Sequence, residues 1–451
     1  MRLFALGLTA LASCLVLAKD VDAEISDWMT GTHVAGVQYA VYKDGKLVAT
    51  KGLGFADLEN KAPVGAESLF EIGSITKSFT AAMVMQEVKA GTVNLDDPVT
   101  KYLPDLPKAW EVVTVRRALS HTAGLPEYLG IGIDIRKDYA PREVIRWVEK
   151  EPLDFPPGML WSYSNTGYIL GGLILEKVTK KTWPDLVQER IFNPVGMKSG
   201  TVQDVMKVMP GRAHGYVHNG KSYQNTDVLR PGAAYSAGAI LCDSADLAKY
   251  GDAVMREKFV SHAELWKPIE LNKGRTFDYG MGWFMRKVGD TQVVEHGGNT
   301  FGFSANLACY PASGLVVAAC SNAAGVNLSG VTDTIARHYI KLEPAKPATP
   351  KPDPDKKRTY RLWDAFVSSL SSKPDLNLVA EELLWQFKPI RMKTARDSAK
   401  GAFLPLKALV YVDERMVGAD TEITYDVVGK NRRARLKFLV DKDGKLVRYS
   451  S

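Results

Sequence analysis

Cysteine is scarce in this chain, with four residues in 451. Cys14 lies in an apolar N-terminal stretch, which leaves Cys242, Cys309 and Cys320 for the folded protein. An odd number does not build a disulfide framework. Cys309 and Cys320 flank the turn Pro311-Ala312-Ser313-Gly314. If Tyr310 pairs with Leu315, Cys309 faces Val316 and Cys320 faces Ala305, too far apart to bridge. Buried, small apolar residues are the expectation for these cysteines. Long apolar runs are missing as well. After the N-terminus nothing reaches the roughly 18 apolar residues of a membrane-spanning helix. A zinc motif is also lacking. His214 and His218 have i, i+4 spacing, but Gly215 and Asn219-Gly220 make that segment a strand and turn. "HGGNTFGF" is glycine-rich without the Gly-Lys-Ser/Thr of a phosphate loop. No metal, cofactor or nucleic acid is therefore expected.

What is present is ordinary globular composition, 45% hydrophobic and 24% charged. Met1-Arg2 followed by an uncharged apolar run to Ala18 reads as a secretory signal peptide within residues 1–23. Cleavage is expected after Ala18 or Ala23, and the destination is the bacterial periplasm. Leu11-Ala12-Ser13-Cys14 also fits a lipoprotein cleavage box, with an anchor at Cys14 as the alternative. A proline-rich segment, residues 342–357, reads as a stiff linker between a body, 24–341, and a tail, 358–451. Residues 346–451 carry 22 Lys and Arg against 14 Asp and Glu, a net of +8. The whole chain is +7, so the body is near neutral and the tail holds the excess. Arg433, Arg435 and Lys437 alternate with Ala434, Leu436 and Phe438, giving a strand with one basic face. That face is either solvated or a weak contact for an anionic envelope polymer.

The body mixes element types. "AVYKDGKLVAT" reads as a hairpin about Asp44-Gly45. A helix is expected from about Ile75 to Ala90, stopped by Gly91, and another over "TGYILGGLILEKVTKK". "DTQVVEHGG", "FSANLACY" and "LVVAACSN" read as consecutive antiparallel strands. Strands at both ends with helices between them predict a sheet closed by N- and C-terminal contributions. In the tail, "TYRLWDAFVSSL" and "LNLVAEELLWQFK" look helical, and strand candidates with an Asp443-Gly444 turn follow. The tail is expected to be a small α+β module of cystatin-like type.

Ser74 and Lys77 stand at i and i+3 of the first helix, on one face. A serine hydroxyl needs a nearby base to act as a nucleophile, and a desolvated lysine can supply one. Taken alone, the pair also describes an N-cap serine with a snorkelling lysine. Two further stretches change the balance. "PPGMLWSYSNTGYILGG" puts Tyr163-Ser164-Asn165 in a loop before a helix. "VVEHGGNTFGF" ends a strand at His296-Gly297-Gly298, where glycine permits close backbone approach. His121 in "LSHTAGLP" is expected to fix a loop through hydrogen bonds.

With these stretches, the chain resembles the serine β-lactamase and penicillin-binding-protein-like superfamily, on the class C β-lactamase and family VIII esterase side. The resemblance runs from about Ile25 to Leu342 and includes "LFEIGSITKSFTA", "NPVGMKSG" and "YGMGWF". It implies a three-layer α/β/α sandwich with an antiparallel sheet, a helical subdomain, and a cleft between them. It implies an acyl-enzyme mechanism with Ser74 as nucleophile and Lys77 and Tyr163 as the base system. Asn165, His296, Gly297, Gly298 and Asn299 would bind substrate, with the N–H groups of Ser74 and Asn299 forming the oxyanion hole.

The chain departs from the β-lactamase pattern at one position. Their strand triplet begins with lysine, and here it begins with His296. A neutral imidazole weakens the case for anionic β-lactams and for peptides ending in a D-Ala carboxylate, and suits esterases and D-aminopeptidase-like relatives better. The expectation is a secreted serine hydrolase of small esters, amides or peptides, including D-amino-acid derivatives of cell-wall metabolism. The alternatives are a β-lactamase or penicillin-binding protein, and a catalytically silent binding module.

Overall fold

The computed structural model describes residues 21–450 apart from 135, 344–348, 372, 387–396 and 398. Residues 1–20, which hold Cys14 and most of the signal peptide expected over 1–23, and the middle of the expected linker lie outside the described residues.

The body is built on a seven-stranded antiparallel sheet. Its spatial order is Phe284–Val288, Thr291–Asn299, Ser304–Tyr310, Leu315–Ser321, Gly36–Lys43, Lys46–Asp57 and Ala62–Pro63. The last long strand of the body therefore pairs with the first, Val37 opposite Ser321. Asp44 and Gly45 both take positive φ, 51° and 80°, the geometry that lets a two-residue turn follow strand twist. The register between Ser304–Tyr310 and Leu315–Ser321 has Cys309 opposite Val316 and Ala305 opposite Cys320, as read from the sequence. The three cysteines are free and buried.

Strand alternation divides the side chains between two cores. Ala40, Leu307 and Ala318 face one, and Val41, Ala308 and Val317 face the other. The second core is closed by a helix over residues 21–32 and by Ser329–Arg337, through Val21, Ile25, Val331 and Ile335. The first is closed by Thr76–Ala90 and Ser244–Met255. This is the three-layer sandwich. The first core continues without a break into helices Pro141–Val148 and Asn165–Thr179, so the helical subdomain shares it. Thr76–Ala90 is buried nearly all round and stops at Gly91, which adopts φ 75°.

Residues 356–450 form a second unit. Helix Lys356–Ser369 packs on a four-stranded antiparallel meander, Ala408–Val417, Asp420–Val428, Arg433–Val440 and Leu446–Ser450. Leu362, Phe366, Ile423, Tyr425 and Phe438 make its own core. The helix expected over "LNLVAEELLWQFK" starts later, at Glu381, and is described as far as Gln386. Its first part is extended instead, because the Ala380 N–H and the Leu378 carbonyl bond to Leu446 across a short bridge. The basic strand face is largely paired within the sheet. Arg433 and Arg435 bind Asp426, and Lys437 reaches Glu422. No helix among the described residues is long and apolar enough to cross a membrane.

Candidate active site

Ser74 sits in a single 3-10 turn, Gly73–Ile75, that feeds straight into Thr76–Ala90. Lys77 is therefore one helical step further on and fully buried. Its Nζ lies 3.0 Å from Ser74 Oγ, 2.6 Å from Asn165 Oδ1 and 2.8 Å from the Ala237 carbonyl. Two of these partners are fixed acceptors. A neutral amine would give them its two protons and turn its lone pair toward Ser74, whose hydroxyl can donate. The Tyr163 ring lies 4.8 Å from Lys77 Nζ.

The Asn165 amide is itself held. Its Nδ2 donates to Glu127 Oε1 at 3.0 Å and its backbone N–H donates to Glu127 Oε2 at 2.6 Å. That leaves Oδ1 for Lys77. Glu127 is buried and was not singled out in the sequence, although it stands in "GLPEY" beside the His121 stretch. A lone carboxylate in a loop gives no pattern to read.

The triplet strand closes on the nucleophile from the other side. A Cβ on Gly298 would meet the Ile72 carbonyl oxygen at 1.9 Å, and one on Gly73 would meet the Asn299 nitrogen at 2.8 Å. Only glycine at both positions lets the backbones of Ser74 and Asn299 approach this closely. A cavity of about 250 Å³ opens there, lined by Ser74, Tyr128, Asn165, Ala237, Asn299 and Phe301 among others. None of its lining side chains is charged.

His296 does not line this cavity. It is buried, and its ring belongs to a hydrogen-bonded chain behind Tyr163. The direction of that chain follows from its ends. The Ser164 N–H donates to His121 Nδ1 at 3.1 Å, so the His121 proton is on Nε2, which donates to Tyr279 Oη at 3.1 Å. At the far end the Gly297 carbonyl, 2.6 Å from His296 Nδ1, can only accept. His296 Nε2 is therefore the acceptor for the Tyr279 hydroxyl at 3.3 Å. Burial, then the nearby Lys77, push His296 down to about 3. Burial likewise holds His121 well below the ordinary histidine range and Tyr279 well above the tyrosine one. The triplet thus presents a neutral ring tied inward, where the β-lactamase pattern has a cation. His121 also fixes the loop with its carbonyl, which accepts the Ser162 N–H. Tyr279, in "YGMGWF", is the centre of this chain, and only the tertiary structure assigns it that place.

His214 and His218, whose segment reads as a strand and turn and not a zinc site, meet different partners. His218 stacks on His33 at 4.0 Å, whereas His214 lies with Asp57 and Glu59. Those two carboxylates already accept from Asn60, Tyr216 and Asn225.

Comparison with known proteins identifies the family of the chain. Residues 21–340 match the protein family described as Beta-lactamase. The chain belongs to that family. It is thereby placed in the serine β-lactamase and penicillin-binding-protein-like superfamily. It is similar to Penicillin-binding protein 4* of Bacillus subtilis, 30% identical over 59% of this chain and 63% of that protein. The match thus spans less than two thirds of that relative. It is also similar to the Unguisins hydrolase ungD' of Aspergillus campestris, 27% identical over 77% of this chain and 68% of the other. Among solved structures, the D-amino acid amidase from Ochrobactrum anthropi SV3 shares 26% identity, with a TM-score of 0.64 over 72% of this chain and 99% of that one. The octameric penicillin-binding protein homologue from Pyrococcus abyssi, 21% identical, shares the fold over 94% of this chain and 97% of that one, with a TM-score of 0.64.

Proposed function

We propose that the protein is a secreted serine hydrolase that cleaves small uncharged esters or amides, D-amino-acid amides among them, through an acyl-Ser74 intermediate. The observation that carries this reading is the environment of Lys77. Its nitrogen is held by Asn165 and Ala237 while facing the Ser74 hydroxyl. Ser74 Oγ attacks the substrate carbonyl, and its proton enters the base system of Lys77 and Tyr163. The N–H groups of Ser74 and Asn299 stabilise the oxyanion, an effect of about 3–4 kcal/mol per donor in comparable sites. Collapse of the tetrahedral species expels the alcohol or amine, which leaves with a proton from Tyr163. Water then hydrolyses the acyl-serine by the same groups.

Uncharged lining of the 250 Å³ cavity and the inward-tied His296 favour a neutral group over an anionic β-lactam. The likeness to a D-amino acid amidase over 99% of its chain supports amides as well as esters. For the leader, cleavage after Ala18 agrees with the packing better than cleavage after Ala23. Val21 is fully buried, and Asp22 accepts the Tyr39 hydroxyl at 2.8 Å.

The test is a panel of p-nitrophenyl esters, D-amino-acid amides and nitrocefin, run on the wild type and on Ser74→Ala. Ester or amide turnover that vanishes in Ser74→Ala is expected, with nitrocefin slow. Equal turnover in Ser74→Ala would sink the mechanism, and fast nitrocefin turnover would favour a β-lactamase.

A further inference from the structure

A larger cavity, about 740 Å³, lies where the C-terminal unit meets the body. Its walls include Trp161, Phe277, Arg415, Lys437 and Arg448. A series of side-chain contacts runs from it to the candidate active site. The Arg448 guanidinium lies 5.5 Å from the Phe277 ring, which stacks on Trp161 at 4.2 Å. Trp161 is 6.2 Å from Tyr163, whose ring is 4.8 Å from Lys77 Nζ, itself 3.0 Å from Ser74 Oγ. Those steps place Arg448 no more than about 24 Å from the Ser74 hydroxyl, a span of roughly seven extended residues or fewer.

Charge in this cavity is uneven. Arg415 pairs with Glu422 at 2.8 Å, and Lys437 reaches the same carboxylate at 3.9 Å. Arg448 has no carboxylate within ion-pair distance among the described residues. With Asp278 the only other acid lining the space, three cations face two carboxylates. Burial pushes Arg448 below the ordinary arginine range, although a guanidinium stays charged. Glu422, Asp278 and Asp420 act on Arg448 only from beyond ion-pair distance, so a bound anion would supply the direct partner this half-buried cation lacks. One surplus charge suits a carboxylate, and the guanidinium fork matches its two oxygens.

We propose that this cavity is a remote subsite that receives the terminal carboxylate of a short peptide whose scissile bond lies at Ser74, with Arg448 as its main contact. The proposal rests on the hydrolase reading for the placement of the scissile bond. It makes the C-terminal unit a determinant of substrate length and charge, a role the neutral His296 leaves open inside the catalytic cavity itself.

The experiment uses the full chain carrying Ser74→Ala, so that the probe is not consumed. Isothermal titration calorimetry compares N-acetyl-penta-D-alanine, with a free carboxylate, against its carboxamide. The acid is expected to bind at least about ten-fold more tightly, a gap of ~1.4 kcal/mol. Adding Arg448→Met should bring the two within about two-fold. Lys437→Met alters a half-exposed side chain and, by cancelling the surplus charge, should narrow the gap several-fold. Equal binding of acid and amide, binding of neither, or a gap that survives both substitutions would overturn the proposal. Ester and amide turnover by the wild-type chain is measured separately. Its absence would refute the hydrolase reading while leaving the calorimetric result to judge the subsite.

Discussion

Glu127→Gln tests how the base system is held in place. The carboxylate of Glu127 takes three N–H donors: Asn165 N at 2.6 Å, Asn165 Nδ2 at 3.0 Å and Leu129 N at 3.2 Å. A glutamine is nearly the same size but has one acceptor oxygen, and its other end is itself a donor. Whichever way the new amide turns, its NH₂ meets an N–H. One charge-assisted hydrogen bond, about 1.5–3 kcal/mol, is lost, and a buried donor is left unpaired at about 1–3 kcal/mol. Stability should fall by roughly 2.5–6 kcal/mol in urea unfolding on those figures. The consequence for chemistry follows from the Asn165 amide. If it rotates to relieve the clash, its NH₂ replaces Oδ1 opposite Lys77, and the 2.6 Å acceptor that orients the amine disappears. A misaimed base should cost about 10- to 100-fold in kcat, ~1.4–2.7 kcal/mol of barrier. Glu127 itself does not line the cavity, so KM for a neutral p-nitrophenyl ester should change less than kcat, any change arising through the rotated Asn165 amide. A variant with wild-type kcat, or one whose loss lies wholly in KM, would refute the idea that Glu127 positions Lys77 through Asn165.

Lys77→Ala and Tyr163→Phe should each lower acylation by orders of magnitude, and the double variant should lose far less than the product of the two, as groups acting as one unit do. Multiplicative losses would mean independent roles. Tyr279→Phe strips His121 of its acceptor and His296 of its donor, and should destabilise the fold by about 1–3 kcal/mol for each ring nitrogen left unpaired. A melting temperature unchanged from wild type would show that the buried chain is not needed. Burial raises Glu71 to about 6, from an ordinary 4.5. Its folded-state affinity for a proton exceeds the unfolded one, so its contribution is complete below pH 4.5 and is lost as pH rises through 6, about 2 kcal/mol in all. Glu71→Gln should therefore raise the unfolding midpoint at pH 8 and not at pH 4, and an equal shift at both would contradict this account. Truncation after residue 345 should leave a folded body, since the core residues of the two units are separate. An unfolded fragment would show that the Arg275 pairs with Asp420 and Glu382 hold the body together.

Local features were legible in the sequence because they rest on short-range rules. Asp44-Gly45 fixes a tight turn, Gly91 stops a helix, and a two-residue alternation sets which core a strand residue faces. The spacing of Ser74 and Lys77 puts both on one helical face whatever surrounds them. The register that sets Cys309 against Val316 follows from the turn at Pro311–Ser313. What the sequence could not supply was anything that depends on distant segments meeting. Asn165 reaches Lys77 across 88 positions, Glu127 reaches Asn165 across 38, and Tyr279 joins His121 to His296. "LNLVAEELL" has a helical pattern, yet its start is drawn out as an edge by Leu446, a strand residue far along the chain. His296 shows the division most clearly. Its identity, read alone, says only that the triplet lacks a fixed positive charge. Burial against Lys77 and the hydrogen bond from Tyr279 decide that the ring stays neutral and turned away from the cavity, because desolvation and nearby charge are properties of the packed interior and have no counterpart in the linear chain.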